Sequence, residues 1–294
     1  MNYKMHKNLI ILAGGLSSRM KKSLQSDHIS DEQNSQANDR SKSLISVGKE
    51  NRPLMDYLLY NAKKAGYQNI YIVINEKGGL FKEYYGQKST NNHFKGLNIS
   101  FPIQYIPKDR VKPLGTADAV FQAVEQFPEL NSQQYTVCNS DNLYSEASLR
   151  ALRETNHLNA FICYDRDALK FSLEKIFRFA IISLNDKNYL KNIIEKPAIE
   201  FADNYKDNLG KIRVSMNIFK FDGSLMYPYL KNCPIHAKRN EKELPTAILN
   251  CVKDNAQAFL GIPISEHVPD LTAKEDIILI KEYLRKHYPN TLNW

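Results

Sequence analysis

The chain has 294 residues, 43% of them hydrophobic and 24% charged, enough apolar material for a large buried core and too much for wholesale disorder. Its net charge of +8 favours anionic ligands, but the lysines are scattered rather than gathered in one block, so nucleic acid is not an expected partner. The four cysteines lie far apart without a C-x-x-C pair, signal neither a zinc site nor a disulfide framework, and fit reduced core thiols in a cytoplasmic protein. No stretch approaches a membrane span or carries a cleavable leader, so a soluble, unprocessed chain with no membrane partner is expected.

In chain order, Leu9-Ile10-Ile11-Leu12 reads as a buried strand that ends in Ala13-Gly14-Gly15-Leu16-Ser17-Ser18-Arg19-Met20. A glycine turn at the carboxyl end of a strand is where α/β sheets bind ligands. Gly14 and Gly15 let backbone N–H groups close on anionic oxygens, and Ser17, Ser18 and Arg19 add donors that suit a triphosphate. The spelling fits neither the P-loop nor the dinucleotide fingerprint. Residues 21–41 are polar, with few apolar positions beyond Leu24, Ile29 and Ala37; such a stretch cannot offset its ordering entropy by burial. It is expected to be either a mobile flap over a bound triphosphate or a passive surface insertion.

Order returns at residues 42–47, and Pro53 opens a helix whose Leu54, Met55, Leu58, Leu59, Ala62 and Ala65 keep helical spacing up to Gly66. Strands are expected at 70–74 and 103–106, then a helix with Thr116 as N-cap and a strand at 135–138. A helix at 146–154 and a strand at 161–164 follow, then β-rich runs at 177–183 and 189–194 that flank a hairpin loop. The remaining elements are a strand at 216–221, a helix at 243–253, a strand at 259–264 and a helix from a Thr272-Ala273-Lys274-Glu275 capping box to about residue 285. With no repeat and no flexible linker, residues 1–294 read as one α/β domain, with a polar insertion at 21–41 and a C-terminal helical segment at 272–294.

Seven segments in register resemble the nucleotidyltransferase superfamily of sugar-phosphate pyrophosphorylases. The opening Gly14-Gly15-Leu16-Ser17-Ser18-Arg19 is similar to the G-G-x-[GS]-[ST]-R motif, and Lys42-Ser43-Leu44-Ile45 to K-x-L-L. Gly115-Thr116-Ala117 resembles the G-T-A loop, Asn139-Ser140-Asp141-Asn142 the G-D-N segment, and Glu195-Lys196-Pro197 the E-K-P motif. Met216-Asn217-Ile218-Phe219 and Asp270-Leu271-Thr272-Ala273 resemble the N-x-G-I-Y strand and the D-I-G-T turn. The departures are the long 21–41 stretch, Ser140 in place of glycine, no glycine after Asn217, and Thr-Ala in place of Gly-Thr after Asp270.

The resemblance implies a glycosyltransferase-A-like fold, with a mixed, mostly parallel central sheet flanked by helices. It implies transfer of a nucleotidyl group from an NTP to a sugar 1-phosphate, a hexose 1-phosphate such as glucose 1-phosphate or mannose 1-phosphate, giving an NDP-sugar and pyrophosphate. Leu12, Ala13, Gly14, Gly15, Gly115 and Thr116 would hold the nucleotide, and Glu195, Lys196 and Asn217 the sugar phosphate. Asp141 and Asp270 would hold Mg2+. A phosphate monoester arrives already ionised, so the site needs no serine, cysteine or histidine base and works by clamping charge. Arg19 suits the departing phosphates, Lys42 the α-phosphate and Lys196 the incoming phosphate. Asp118, in a first helical turn, reads as a dipole partner, and Asn217 as a buried amide within an apolar strand. Other readings stay open: a non-sugar phosphate such as phosphocholine, in keeping with the Ser-Ser-Arg-Met spelling; a glycosyltransferase, although Asn139 stands where a D-x-D pair needs aspartate; and a non-catalytic nucleotide-sugar-binding module. The base, the sugar and the assembly are left open, a homo-oligomer included.

Overall fold

Leu9, Ile10 and Ile11 are completely buried, and the strand they form, β1 (Asn8–Leu12), lies in the middle of the sheet. The structure, a computed structural model, describes residues 5–24, 28–195 and 204–294. After β1 come helices α1 (Ser18–Lys22), α2 (Asp31–Asp39) and α3 (Leu54–Lys64), then β2 (Asn69–Asn75) and α4 (Gly79–Tyr85). Strands β3 (Asn92–Phe94), β4 (Leu97–Ser100) and β5 (Ile103–Gln104), helix α5 (Thr116–Gln126) and strand β6 (Gln134–Asn139) complete the first half. The second half runs α6 (Glu146–Glu154), β7 (Asn159–Asp165), α7 (Leu173–Ile176), β8 (Ile181–Leu184), β9 (Leu190–Ile194), β10 (Arg213–Val214) and β11 (Ile218–Asp222). Helices α8 (Gly223–Lys231) and α9 (Leu244–Asp254), strand β12 (Phe259–Ile264) and helix α10 (Asp276–His287) finish the chain.

The main path through the sheet is β3-β4-β2-β1-β6-β11-β7-β10-β8-β9, with β12 on β7 and β5 on β2. Strands β4, β2, β1 and β6 are mutually parallel, and antiparallel pairing begins where β11 meets β6. This is the mixed α/β sheet that the sequence indicates. Alternate side chains of β1 feed two cores: Leu9 and Ile11 pack with Leu54, Leu58 and Leu59 of α3, and Ile10 packs with Ala117, Val120 and Val124 of α5. Because β1 is flanked by β2 on one edge and β6 on the other, a crevice opens beyond its carboxyl end, where α/β sheets place ligands. All four cysteines are buried and unbridged.

The structure departs from the sequence reading at several points. Residues 28–41 are built into the fold: Ser30 and Gln33 form a capping box that starts α2. Gln33 Nε2 donates to the Ser46 carbonyl at 2.7 Å, and Gln36 Oε1 accepts from the Ser46 amide at 2.8 Å. A composition argument weighs only apolar area, whereas these buried amides gain their order from hydrogen bonds. Thr272 does not cap α10, because its hydroxyl is committed to Asp270 at 2.7 Å; the helix begins at Asp276, whose carboxylate accepts from the Thr272 and Ala273 amides, each at 2.8 Å. Gly115, not Thr116, is the cap residue of α5, and Thr116 Oγ1 instead accepts from the Leu244 amide at 3.0 Å. The β-rich run expected at 177–183 starts only at Ile181, because residues 177–180 form the turn that follows α7. Asn217 is exposed with a left-handed φ of 56°, just outside β11, and is not a buried amide. Asp118 is buried and accepts from Gln104 and Gln122, which agrees with a structural role.

Two predictions follow from this packing. Gln36→Ala strips the Ser46 amide of its partner and is expected to cost about 1–3 kcal/mol in urea unfolding, against less than about 0.5 kcal/mol for exposed Ser35→Ala. His6 packs edge-on against Tyr67 with Nε2 3.0 Å from Thr136 Oγ1; burial, aided by the charges of Lys220 and Arg153, pushes its pKa down to about 3. The folded chain therefore refuses a proton that an unfolded histidine accepts near pH 6.5, so the contribution of His6 is complete above that pH and is lost as pH falls towards 3. Between pH 7 and pH 5 the wild type should lose up to about 2 kcal/mol more stability than His6→Asn, measured by denaturant unfolding at each pH.

Candidate active site

Beyond Leu12 the chain keeps one more rung of the ladder, the Ala13 amide donating to Val73 at 2.9 Å, and then turns away. A side chain on Gly14 would crowd Gln104 Oε1 at 3.1 Å, whereas nothing lies within 4 Å of the equivalent point on Gly15, whose backbone faces open space. Ser17 takes a left-handed conformation, φ 54°, and its hydroxyl accepts from the Lys42 amide at 3.3 Å, tying the glycine turn to the start of the 42–47 segment. Met20 is fully buried and anchors α1, which leaves Arg19 exposed on the cavity wall with no ion pair among the described residues.

A cavity of about 380 Å³ occupies the crevice and is lined by residues 12–19 together with Lys42, Gln104, Gly115, Thr116 and Asp141. It brings together every residue that the sequence assigns to the nucleotide. Gln104, which the sequence reading missed, is buried at the end of β5 and donates Nε2 to the Gly115 carbonyl at 2.9 Å and to Asp118 at 3.2 Å. Its signal was a lone polar residue inside the apolar run at 103–106. Gly115 has φ 121°, and a side chain there would strike the Lys242 carbonyl, so glycine is required for packing as well as conformation. The Lys242 backbone pairs on both sides of it, accepting from Ala117 at 2.9 Å and donating to Leu114 at 2.6 Å.

Asp141 follows β6 and forms an ion pair with Lys42 Nζ, both side chains being largely shielded. Its backbone carbonyl accepts from Leu271 at 2.8 Å, and Asn142 bridges to Asp270, so the two aspartates sit on adjoining segments. Asp270 accepts from Asn142 Nδ2 at 3.2 Å and from Thr272 Oγ1 at 2.7 Å, and pairs with Lys175 at 2.9 Å. Among the described residues no cluster of three or more histidines, cysteines or carboxylates converges on one point. Two carboxylates on adjoining segments, with few further protein donors, nevertheless suit a hard cation that draws its other ligands from phosphate oxygens and water, as magnesium does.

A second cavity, of about 210 Å³, adjoins the first and shares Thr116 and Asn139 with it. Glu195 and Asn217 line it, as the sequence indicates, together with Arg178, Phe179 and Arg239, which it did not. Arg239 links Glu195 to Glu243, its bond to the latter being 2.5 Å. Nothing in the basic 236–242 loop distinguishes this arginine from its neighbours; only the folded chain brings it to Glu195. Lys196 lies outside the described residues.

The nucleotidyl transferase family model matches residues 36–261. A glucose-1-phosphate adenylyltransferase of Bradyrhizobium diazoefficiens is 23% identical over 195 residues, 65% of this chain and 45% of the relative, so the chain spans less than half of that protein's length. A crystal structure of a UDP-glucose pyrophosphorylase complexed with UDP-glucose superposes with a TM-score of 0.69 at 15% identity, covering 96% of this chain and 99% of the other, a likeness of fold. With most of its length matched by the family model, the chain belongs to the nucleotidyl transferase family.

Proposed function

We propose that the chain transfers a nucleotidyl group from an NTP to a sugar 1-phosphate, with release of pyrophosphate. The observation that carries this reading is the pair of adjoining cavities that meet at Thr116 and Asn139, one walled by the glycine turn and the other by Glu195, Asn217 and Arg239. Two substrates held side by side in this way gain the proximity that in-line displacement needs. The names of the two relatives favour a hexose 1-phosphate as acceptor.

In this reading the glycine turn and Gln104 hold the nucleotide, and Arg19 takes the departing phosphates. Lys42 turns from Asp141 to the α-phosphate, and Lys196 guides the incoming one. Magnesium held by Asp141 and Asp270 would lower the repulsion between two anionic reactants. Arg239 keeps the Glu195 carboxylate fixed against the start of α9, ready to accept from acceptor hydroxyls. The acceptor brings its own ionised oxygen, so the side chains stabilise charge and transfer no proton.

The test is a panel of the common NTPs against sugar 1-phosphates and phosphocholine, with pyrophosphate release as the readout. At least one sugar 1-phosphate should turn over, and Asp141→Asn should slow that reaction about a thousandfold while keeping the fold. Release with phosphocholine alone, or with no acceptor at all, would overturn the assignment. Arg239→Lys keeps the charge but loses the fork that spans Glu195 and Glu243, so KM for the acceptor should rise about tenfold with little change in KM for the NTP.

A further inference from the structure

Lys175 belongs to α7, three residues before the Arg178 that lines the second cavity, and it is placed between two carboxylates. Its Nζ lies 2.9 Å from Asp270 Oδ2 and 2.9 Å from Asp276 Oδ1, and 4.6 Å from the centre of the Phe171 ring. The other oxygen of Asp276 already serves the Thr272 and Ala273 amides, so this carboxylate is a fixed, permanently available second partner for the ammonium. Asp270, by contrast, is the carboxylate assigned above to the divalent cation. One ammonium shared between a carboxylate that takes a cation and one that does not can change its allegiance with almost no movement.

We propose that Lys175 is a resident counter-ion of the cation site, holding Asp270 neutralised and aimed until a divalent cation takes that carboxylate, and then remaining on Asp276. The proposal rests on the assignment of Asp141 and Asp270 to the cation. An unpaired, largely buried carboxylate would be costly to keep charged, and a lysine that leaves only on exchange for another cation avoids that cost. The same geometry makes Lys175 a competitor: its charge opposes entry of the cation, and Asp276 reduces the opposition by offering somewhere else to pair. Lys175 is therefore a positioning residue rather than one that touches substrate. Its backbone carbonyl accepts from the Arg178 amide at 3.1 Å, so the ammonium also anchors the short α7 turn from which Arg178 and Phe179 reach the second cavity.

The experiment measures binding of Mn2+ alone to the full chain by the electron paramagnetic resonance signal of the free ion, with circular dichroism melts as a check on folding. Lys175→Met should bind Mn2+ at least about fivefold more tightly than the wild type, because a nearby positive charge is gone. Lys175→Arg should stay within about twofold of the wild type, since it keeps both pairings. Asp276→Asn keeps an oxygen for the Thr272 and Ala273 amides but loses the ion pair; it commits Lys175 to Asp270 and should weaken Mn2+ binding. A merely structural lysine would produce no such opposed pair of effects. Asp141→Asn and Asp270→Asn should both weaken binding. If they do, and Lys175→Met leaves the affinity unchanged or lowers it, the role given to Lys175 is overturned while the cation assignment stands. If neither aspartate variant alters Mn2+ binding, that assignment fails and takes the counter-ion proposal with it.

Discussion

The site depends first on β1 being paired in parallel along both edges. Its register with β2 matches Leu12 to Val73, and its register with β6 matches Leu12 to Asn139. The chain leaves β1 through the glycine turn level with the end of β6, while β2 runs two residues further to Asn75, so Gly14, Gln104 and Asn139 line one crevice without any long-range adjustment. Completely buried aliphatic residues on β1 leave it no freedom to slip, since a shift of one residue would exchange its two faces between the two cores.

Charge is arranged around that crevice as alternation rather than as a positive field. Lys42 lies on Asp141, Lys175 between Asp270 and Asp276, and Arg239 between Glu195 and Glu243. The Lys42 and Lys175 pairs are largely shielded, which makes them costly to break by deletion yet ready to exchange partners when another charge of the right sign arrives, whereas the Arg239 pair with Glu195 is partly open to solvent. Arg19 is the exception, exposed on the cavity wall and without an ion pair among the described residues.

Local periodicity made much of the fold legible. The apolar spacing of α3 and α5 and the short runs of β1, β2 and β6 are dictated by burial, and their positions in the folded chain match. Legibility failed where a side chain's partner is remote in sequence. The hydroxyl of Thr272 looks like a cap until Asp270 claims it, and Asn217 looks buried until its backbone turns left-handed. The 28–41 stretch looks unable to order itself until Gln33 and Gln36 meet the backbone of Ser46. The glycine turn and the two aspartates stand out in local motifs, whereas the ion pairs of Arg239 and Lys175 are made with neighbours that no local motif names.

The backbone bonds of Lys242 to Leu114 and Ala117 make the two walls of the second cavity unequal. Those bonds use main-chain atoms that any residue would supply, and they close over a glycine whose conformation and lack of a side chain are both required. The wall carrying Arg239 is therefore constrained in shape whatever its sequence. The same cavity is also lined by Arg178 and Phe179, whose side chains can vary without disturbing that joint. Redesign of the second cavity has most room on the Arg178 side, where new hydrogen-bonding groups can be introduced while the joint at Gly115 keeps its geometry.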